Sequence, residues 1–378
     1  MAKPKVMFVV GTRPDAIKTA PVVREFRQFP ELVDTVLVST GQHREMLWQA
    51  LEAFDLKADY DLEVMTHGQT LAGVTQKILG GLDGLLEEHR PDMVFAQGDT
   101  TTTFVAGLAS FYRQIPYGHI EAGLRTPDIF NPFPEEFNRR AVGLFAALHF
   151  PPTKWSEQNL LREGVDPARV FVTGNTGIDA VLHTSKANDM RWYSDWPGRV
   201  VLLTTHRREN WGAPQEQIAR AARQLVDEFE DVKLVVAMHK NPAVRETLRG
   251  ILDGHRRIDL IEPPDYADFV KLMQRAHLIL TDSGGVQEEA PSFGIPVLVL
   301  RTTTERPEGV DAGTAKLIGT EEEVVFAEGR RLLADDAAYG AMANSTSPYG
   351  DGKASARIRF ATLRHLGIVS PERAMWVY

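Results

Sequence analysis

Twelve short apolar runs of strand length, separated by longer amphipathic stretches of helical period, constrain the fold more than any other feature of this chain. In the first half they are Val6–Val10, Val36–Ser39, Met93–Ala96, Tyr117–Ile120, Leu148–Phe150 and Val170–Val172. In the second half they are Val200–Thr204, Leu234–Ala237, Leu260–Ile261, Leu278–Leu280, Val297–Leu300 and Lys316–Ile318. Strands alternating with helices predict βαβ units, and hence parallel sheets covered by helices on both faces. Several runs are apolar at successive positions, as strands buried on both faces require. The rhythm breaks between Thr184 and Gly198, a polar segment rich in Trp and Asp that closes on Pro197-Gly198. Read as a linker (184–198), it gives two doubly wound α/β domains, 1–183 and 199–356, with a cleft expected between them.

A length of 378 residues exceeds what one core ordinarily organises, in keeping with two domains. With 42 Lys and Arg against 51 Asp and Glu, the net charge is −9. Nothing suggests the basic surface that nucleic-acid backbones require, so nucleic acid is not expected as a partner. An anionic small ligand needs a local cluster of Arg, Lys and His that outweighs the global field. The absence of cysteine removes disulfides, thiolate metal sites and cysteine nucleophiles. Met1-Ala2-Lys3-Pro4-Lys5-Val6 has neither signal nor transit character, and no apolar run is long enough to span a bilayer. A soluble cytoplasmic protein without membrane contact is the expectation.

The polar motifs fall after strands and never before them, at the sheet edge where doubly wound folds bind ligands. Gly11-Thr12-Arg13-Pro14-Asp15-Ala16-Ile17-Lys18 follows the first run; it departs from the dinucleotide fingerprint and brings Arg13 and Lys18 to that edge. Gly98-Asp99-Thr100-Thr101-Thr102-Thr103 follows the third, where Asp99 serves either as a helix cap or as a ligand group. Glu121 closes the apolar run at Ile120, and Pro132-Phe133-Pro134-Glu135-Glu136 opens a further helix. Asp99, Glu121 and Glu135 all lie at strand ends or in the loops beyond them. Carboxylates that face one another suit proton transfer, since crowding raises one pKa and leaves another ionised.

The second half carries cations and glycines. Thr205-His206-Arg207-Arg208-Glu209-Asn210 and Met238-His239-Lys240 each follow a strand, as does Arg301-Thr302-Thr303-Thr304-Glu305-Arg306. In Thr281-Asp282-Ser283-Gly284-Gly285-Val286-Gln287-Glu288-Glu289 a strand turns on glycines into a helix. Free backbone N–H groups, the Ser283 hydroxyl and close approach at Gly284 and Gly285 predict a phosphate cradle. Glu289, one turn on, is placed to accept from ribose hydroxyls. A phosphorylated ligand, read as a nucleotide, follows. No metal-ligand spacing occurs, so no metal is expected.

Taken in order, Gly-Thr-Arg-Pro-Asp-Ala-Ile-Lys at 11–18, Gly-Asp-Thr-Thr-Thr-Thr at 98–103, Glu-Ala-Gly-Leu-Arg-Thr at 121–126 and Pro-Phe-Pro-Glu-Glu at 132–136 form a recognisable series. It continues with Thr-His-Arg-Arg-Glu-Asn at 205–210, Asp-Ser-Gly-Gly-Val-Gln-Glu-Glu-Ala-Pro at 282–291, Thr-Thr-Glu-Arg-Pro-Glu at 303–308 and Pro-Tyr-Gly-Asp-Gly at 348–352. The series resembles the non-hydrolysing UDP-N-acetylglucosamine 2-epimerases of bacteria over nearly the whole chain. The resemblance implies a GT-B-type architecture of two Rossmann-like domains, with a last helix at about 357–378 packing back on the first. It implies interconversion of UDP-N-acetylglucosamine and UDP-N-acetylmannosamine without a cofactor, by elimination of UDP to a 2-acetamidoglucal and re-addition to the opposite face. By motif it assigns catalysis to Asp99, Glu121, Glu135 and His206. Substrate contacts go to Arg13, Lys18, Phe269, Ser283, Gly284, Gly285, Glu289 and Arg306. A second UDP-N-acetylglucosamine, acting as activator, goes to Gln42, Glu136, Arg207 and His239. A homodimer is implied as well. Two alternatives stay open: an epimerase of a modified UDP-hexosamine, and a UDP-sugar glycosyltransferase of the same architecture.

Overall fold

In the computed structural model, residues 3–41, 44–65, 68–186 and 192–368 are described. The chain forms two compact units, Met1–His183 with Gly350–Tyr378, and Thr184–Tyr349.

In the first unit the order is β1 (Lys5–Val10), α1 (Arg13–Arg27), β2 (Asp34–Ser39), α2 (Arg44–Glu52), β3 (Tyr60–Asp61) and α3 (Leu71–His89). It continues with β4 (Met93–Gln97), α4 (Thr101–Tyr112), β5 (Tyr117–Ile120), α5 (Glu135–Gly143), β6 (Leu148–Phe150), α6 (Lys154–Arg162) and α7 (Thr176–Ser185). The second unit runs β7 (Arg199–Thr204), α8 (Ala213–Glu228), β8 (Val232–Ala237), α9 (Pro242–Leu252), β9 (Ile258–Ile261), α10 (Tyr266–Arg275) and β10 (Leu278–Thr281). Then come α11 (Gly284–Glu289), β11 (Val297–Val299), α12 (Pro307–Asp311), β12 (Ala315–Leu317), α13 (Glu322–Ala334) and α14 (Asp336–Ala343). The last helix, α15 (Ala354–His365), belongs to the first unit.

Each unit holds one six-stranded sheet whose strands all pair in parallel, ordered β3-β2-β1-β4-β5-β6 in the first and β12-β11-β10-β7-β8-β9 in the second. Both are Rossmann-like. The order reverses between β1 and β4 in one sheet and between β7 and β10 in the other. The crevice outside the carboxyl ends of such a strand pair is where doubly wound folds bind ligands.

The apolar runs build the cores. Every residue from Val6 to Val10 is 1 % exposed or less. On one face of the first sheet Phe8 stacks on Phe95 at 4.9 Å, with Phe26 of α1 edge-on at 5.3 Å. On the other, Met7, Val9, Val94 and Ala96 meet Ile78, Leu82, Val105 and Ala109 of α3 and α4. In the second unit Val201, Leu203, Leu234 and Val236 pack under α8, α9 and α13. Residues 192–198 dock on this unit: Arg275 donates to the carbonyls of Tyr193, Trp196 and Gly198, and Lys233 lies 5.3 Å from both the Tyr193 and Trp196 rings.

Two strand expectations need correction. Val170–Val172 makes only an isolated bridge, Val170 to His149. Phe171 N donates to His149 O at 2.9 Å and Thr173 N to Pro151 O at 3.0 Å, but Pro151 has no N–H to return, so no ladder propagates. Conversely β3, polar and two residues long, is a genuine edge strand that no apolar run announces.

Candidate active site

Gly11 ends β1. A Cβ there would sit 2.0 Å from Thr102 Oγ1 and 2.9 Å from Thr40 Oγ1, so glycine is needed for the loop to lie against these hydroxyls. Thr12 and Asp15 form a capping box at the start of α1, with Thr12 N donating to Asp15 Oδ2 at 3.1 Å. The same oxygen accepts from Gly11 N at 3.3 Å and Thr100 Oγ1 at 3.1 Å. Asp15 thereby ties the loop after β1 to the loop after β4. Burial pushes its carboxyl up to about 6 against the bonds from Thr12 and Thr100, and the Asp99 charge adds to the rise.

Thr100, not Asp99, caps α4, through Thr103 N to Thr100 Oγ1 at 3.3 Å. Asp99 is thus released for other work. Its carboxylate, 27 % exposed, lies 3.1 Å from Arg139 Nη1. Glu121 follows β5 with φ 61°, a left-handed conformation that costs a non-glycine residue about 1–2 kcal/mol. Its side chain, only 8 % exposed, accepts from Lys18 Nζ, from Gln97 Nε2 and from Asn175 Nδ2, the last at 3.3 Å. A Cβ on Gly98 would stand 3.5 Å from Glu121 Oε2, which places Asp99's chain neighbour against that carboxylate. Helix α5 adds the third group. It anchors on this loop through Asn138 Nδ2 to Asp99 O at 2.9 Å and the Arg139 pair, and Glu135 is its first residue. The side chain of half-buried Glu135 makes no hydrogen bond or ion pair among the described residues, and neither does that of the half-buried Arg13. Glu136 is fully buried and engaged: Arg139 Nε at 2.7 Å, Arg140 Nε at 2.6 Å and Thr126 N at 3.0 Å all donate to it.

The second unit gathers its groups at the β7–β10 crevice, where Thr204 Oγ1 and Thr281 Oγ1 are 2.6 Å apart. His206 Nδ1 lies 3.0 Å from Asp282 Oδ1, and the His239 ring stacks on His206 at 5.9 Å between centroids. Burial, then the neighbouring His206, lowers the His239 pKa. Ser283 is the N-cap of α11, and its side chain makes no capping bond. At Gly284 a Cβ would lie 2.6 Å from the Arg306 guanidinium carbon, so the arginine head packs directly against this glycine. Arg306 donates from Nε to Glu288 Oε1 at 2.6 Å and pairs with Glu305 at 2.9 Å. Glu305 also meets Arg207 at 3.3 Å and Arg301 at 2.8 Å. Burial opposes ionisation of Glu305, but Arg306 and Arg301 outweigh it and bring the pKa down to about 2. Glu289 ends α11, and a Cβ on Gly285 would be 3.7 Å from its Oε1. Phe269 is half-buried on α10.

The first unit therefore brings Asp99, Glu121, Glu135 and Lys18 to one edge. The second brings His206, His239, Arg207, Arg306, Ser283 and Gly284 to another. Gln42 lies outside the described residues. Motif reading missed Asp15, Gln97, Asn175, Glu288, Glu305 and Asp282 as functional. Each also acts on a partner distant in sequence, and of that contact local spacing carries no signal. No group of three or more His, Asp or Glu side chains among the described residues could hold a metal ion.

Two Rossmann-like units, one edged with carboxylates and the other with a histidine–arginine cluster beside a glycine turn, define a protein of the GT-B type. The family model for UDP-N-acetylglucosamine 2-epimerase matches residues 25–362. The Bacillus subtilis UDP-N-acetylglucosamine 2-epimerase is 51 % identical over 369 residues, 97 % of each chain. Among solved structures, the Neisseria meningitidis UDP-GlcNAc 2-epimerase bound to UDP-GlcNAc has a TM-score of 0.87 and 44 % identity, covering 95 % of this chain and 100 % of that one. The S. aureus MnaA–UDP structure has a TM-score of 0.88 and 47 % identity, covering 99 % and 100 %. This chain belongs to the UDP-N-acetylglucosamine 2-epimerase family and is an isomerase.

Proposed function

We propose that the enzyme interconverts UDP-N-acetylglucosamine and UDP-N-acetylmannosamine without releasing the sugar, through elimination of UDP and re-addition. In the forward half one of the carboxylates Asp99, Glu121 and Glu135 takes the C2 proton, the C2–H electrons form a C1=C2 double bond, and the diphosphate leaves with the C1–O electron pair. In the return half a proton enters C2 from the opposite face and the C1–O bond reforms. No carbonyl acidifies C2–H, so proton removal must be helped by departure of the diphosphate. The observation that carries this reading is the inequality of the three carboxylates: Asp99 is ion-paired, Glu121 receives three donors, and Glu135 has no partner among the described residues. Distinct environments are what separate proton-donating from proton-accepting roles.

The second unit is assigned the nucleotide: Ser283, Gly284, Gly285 and Arg306 the diphosphate, Glu289 the ribose, Phe269 the uracil, and His206 the charge on the leaving group. Arg13 and Lys18 supply further positive charge, Lys18 already serving Glu121. A second UDP-N-acetylglucosamine at Gln42, Glu136, Arg207 and His239 is assigned as activator, and the working form as a homodimer. Proton NMR of UDP-N-acetylglucosamine with the protein in deuterium oxide tests the reaction. A UDP-N-acetylmannosamine anomeric signal with deuterium at C2 is expected. An unchanged substrate spectrum while UDP binds overturns it. Conversion of UDP-N-acetylmannosamine alone at full rate, with hyperbolic kinetics, overturns the activator.

A further inference from the structure

The imidazole of His206 is pinned by Asp282 at one edge and by His239 on one face. Asp282 follows β10, is wholly buried, and gathers the loop after β7 around itself. Its Oδ1 lies 3.0 Å from His206 Nδ1 and receives His206 N at 3.1 Å. Its Oδ2 receives Thr205 Oγ1 and Asn210 Nδ2, each at 2.9 Å, with His206 N at 3.0 Å and Arg207 N at 3.1 Å. Burial alone would push this carboxyl up; the bonds from His206 and the loop amides outweigh it and hold it below its ordinary range. An ionised carboxylate can only accept, so the nitrogen facing it carries hydrogen. Nδ1 is that nitrogen, which leaves Nε2 of the 40 % exposed ring for a ligand.

We propose that Asp282 is a positioning residue for the epimerisation, fixing the tautomer and orientation of His206 and stabilising its imidazolium at the leaving diphosphate. The inference rests on the role of His206 assigned under Proposed function.

Asparagine at this position gives a directional test. Four donors surround Oδ2, so the amide keeps its oxygen there and turns its nitrogen toward His206. That N–H then donates to Nδ1, and neutral His206 must carry its hydrogen on Nε2 instead. In ¹⁵N-histidine-labelled protein, with the signal assigned from His206→Asn, the wild type should show hydrogen on Nδ1 and Asp282→Asn hydrogen on Nε2. The variant should lose about 10- to 100-fold in kcat, with KM changed less than about threefold.

A wild-type spectrum with neutral His206 protonated on Nε2 overturns the proposal, even if the variant fails to fold. So does Asp282→Asn with wild-type kcat while His206→Asn is impaired. Losses in the double variant equal to the product of the single ones also overturn it, because Asp282 would then act apart from His206. Should His206→Asn itself retain full kcat, the assigned role of His206 is what fails, and Asp282 loses its part in catalysis with it.

Discussion

Glu121 holds a left-handed backbone conformation at the end of β5 while its carboxylate takes three donors from three other elements. Lys18 comes from α1, Gln97 from β4, and Asn175 from the loop before α7. The convergence explains why the strained conformation persists, since local strain survives where surroundings over-determine it. Glu121→Gln keeps the shape but removes the carboxylate charge that faces Lys18, only 14 % exposed. We expect kcat to fall by about 100-fold or more, together with a loss of stability in urea titrations. Asp15 offers a pH test. Its folded pKa of about 6 exceeds the ordinary 3.8, so the folded state keeps a proton that the unfolded chain releases between those values. Stability from Asp15 is therefore present below about pH 4 and lost as pH rises through about 6. Asp15→Asn retains the acceptor oxygen without titrating. Between pH 4 and pH 7 its stability in urea should gain on wild type by about 2 kcal/mol. Buried His119 opposes this trend. Burial lowers its pKa from 6.5 to about 3, so its contribution is lost as pH falls below 6.5.

Among the elements, those built from apolar runs were legible and those decided by backbone partners were not. The runs at Val6–Val10 and Leu278–Leu280 lie within β1 and β10, as short runs of successive apolar residues in a doubly covered sheet do. Val170–Val172 is as apolar and fails as a strand because Pro151 in its neighbour has no N–H to return. The two residues of β3 pair because Asp59 N reaches Leu37 O at 2.8 Å and Leu62 N reaches Ser39 O at 2.9 Å. Helix α15 depends on a distant residue in the same way. It has no side-chain cap of its own; Asp179 of α7 receives Ser355 N at 2.8 Å and Ala354 N at 3.2 Å. Asp179→Ala should destabilise the protein by about 1–2 kcal/mol in urea, with Asp179→Asn recovering part of the loss.

At the scale of the molecule, the second unit is one continuous segment with its own core, whereas the first is assembled from both ends of the chain. In the first unit Arg359 of α15 pairs with Glu25 of α1 at 2.9 Å and lies 3.7 Å from the centre of the Phe29 ring. A fragment of residues 184–349 is expected to unfold cooperatively in calorimetry and to bind UDP, while a fragment ending at 183 should show no cooperative transition. The first unit also exposes Leu144 (89 %), Tyr112 (65 %) and Phe111 (57 %) on its α4–α5 side. Exposed apolar patches of this kind mark association sites, and we expect Leu144→Asp to shift the protein to monomer in light scattering.

Residue pattern alone determined the α/β class, the polar clusters beyond the strand ends, and the family. The first two follow from local physics: the two-faced burial of strands, the conformational needs of turns, and charge placed beside glycine; the family follows from the resemblance of the ordered motifs. Tertiary structure decided which side chains serve one another: that Thr100 rather than Asp99 caps α4, that Lys18 answers Glu121, and that Asp282 holds His206 from 76 residues away. Such pairings are set by strand order, since parallel crossovers bring the ends of β1 and β4, or of β7 and β10, together from remote parts of the chain.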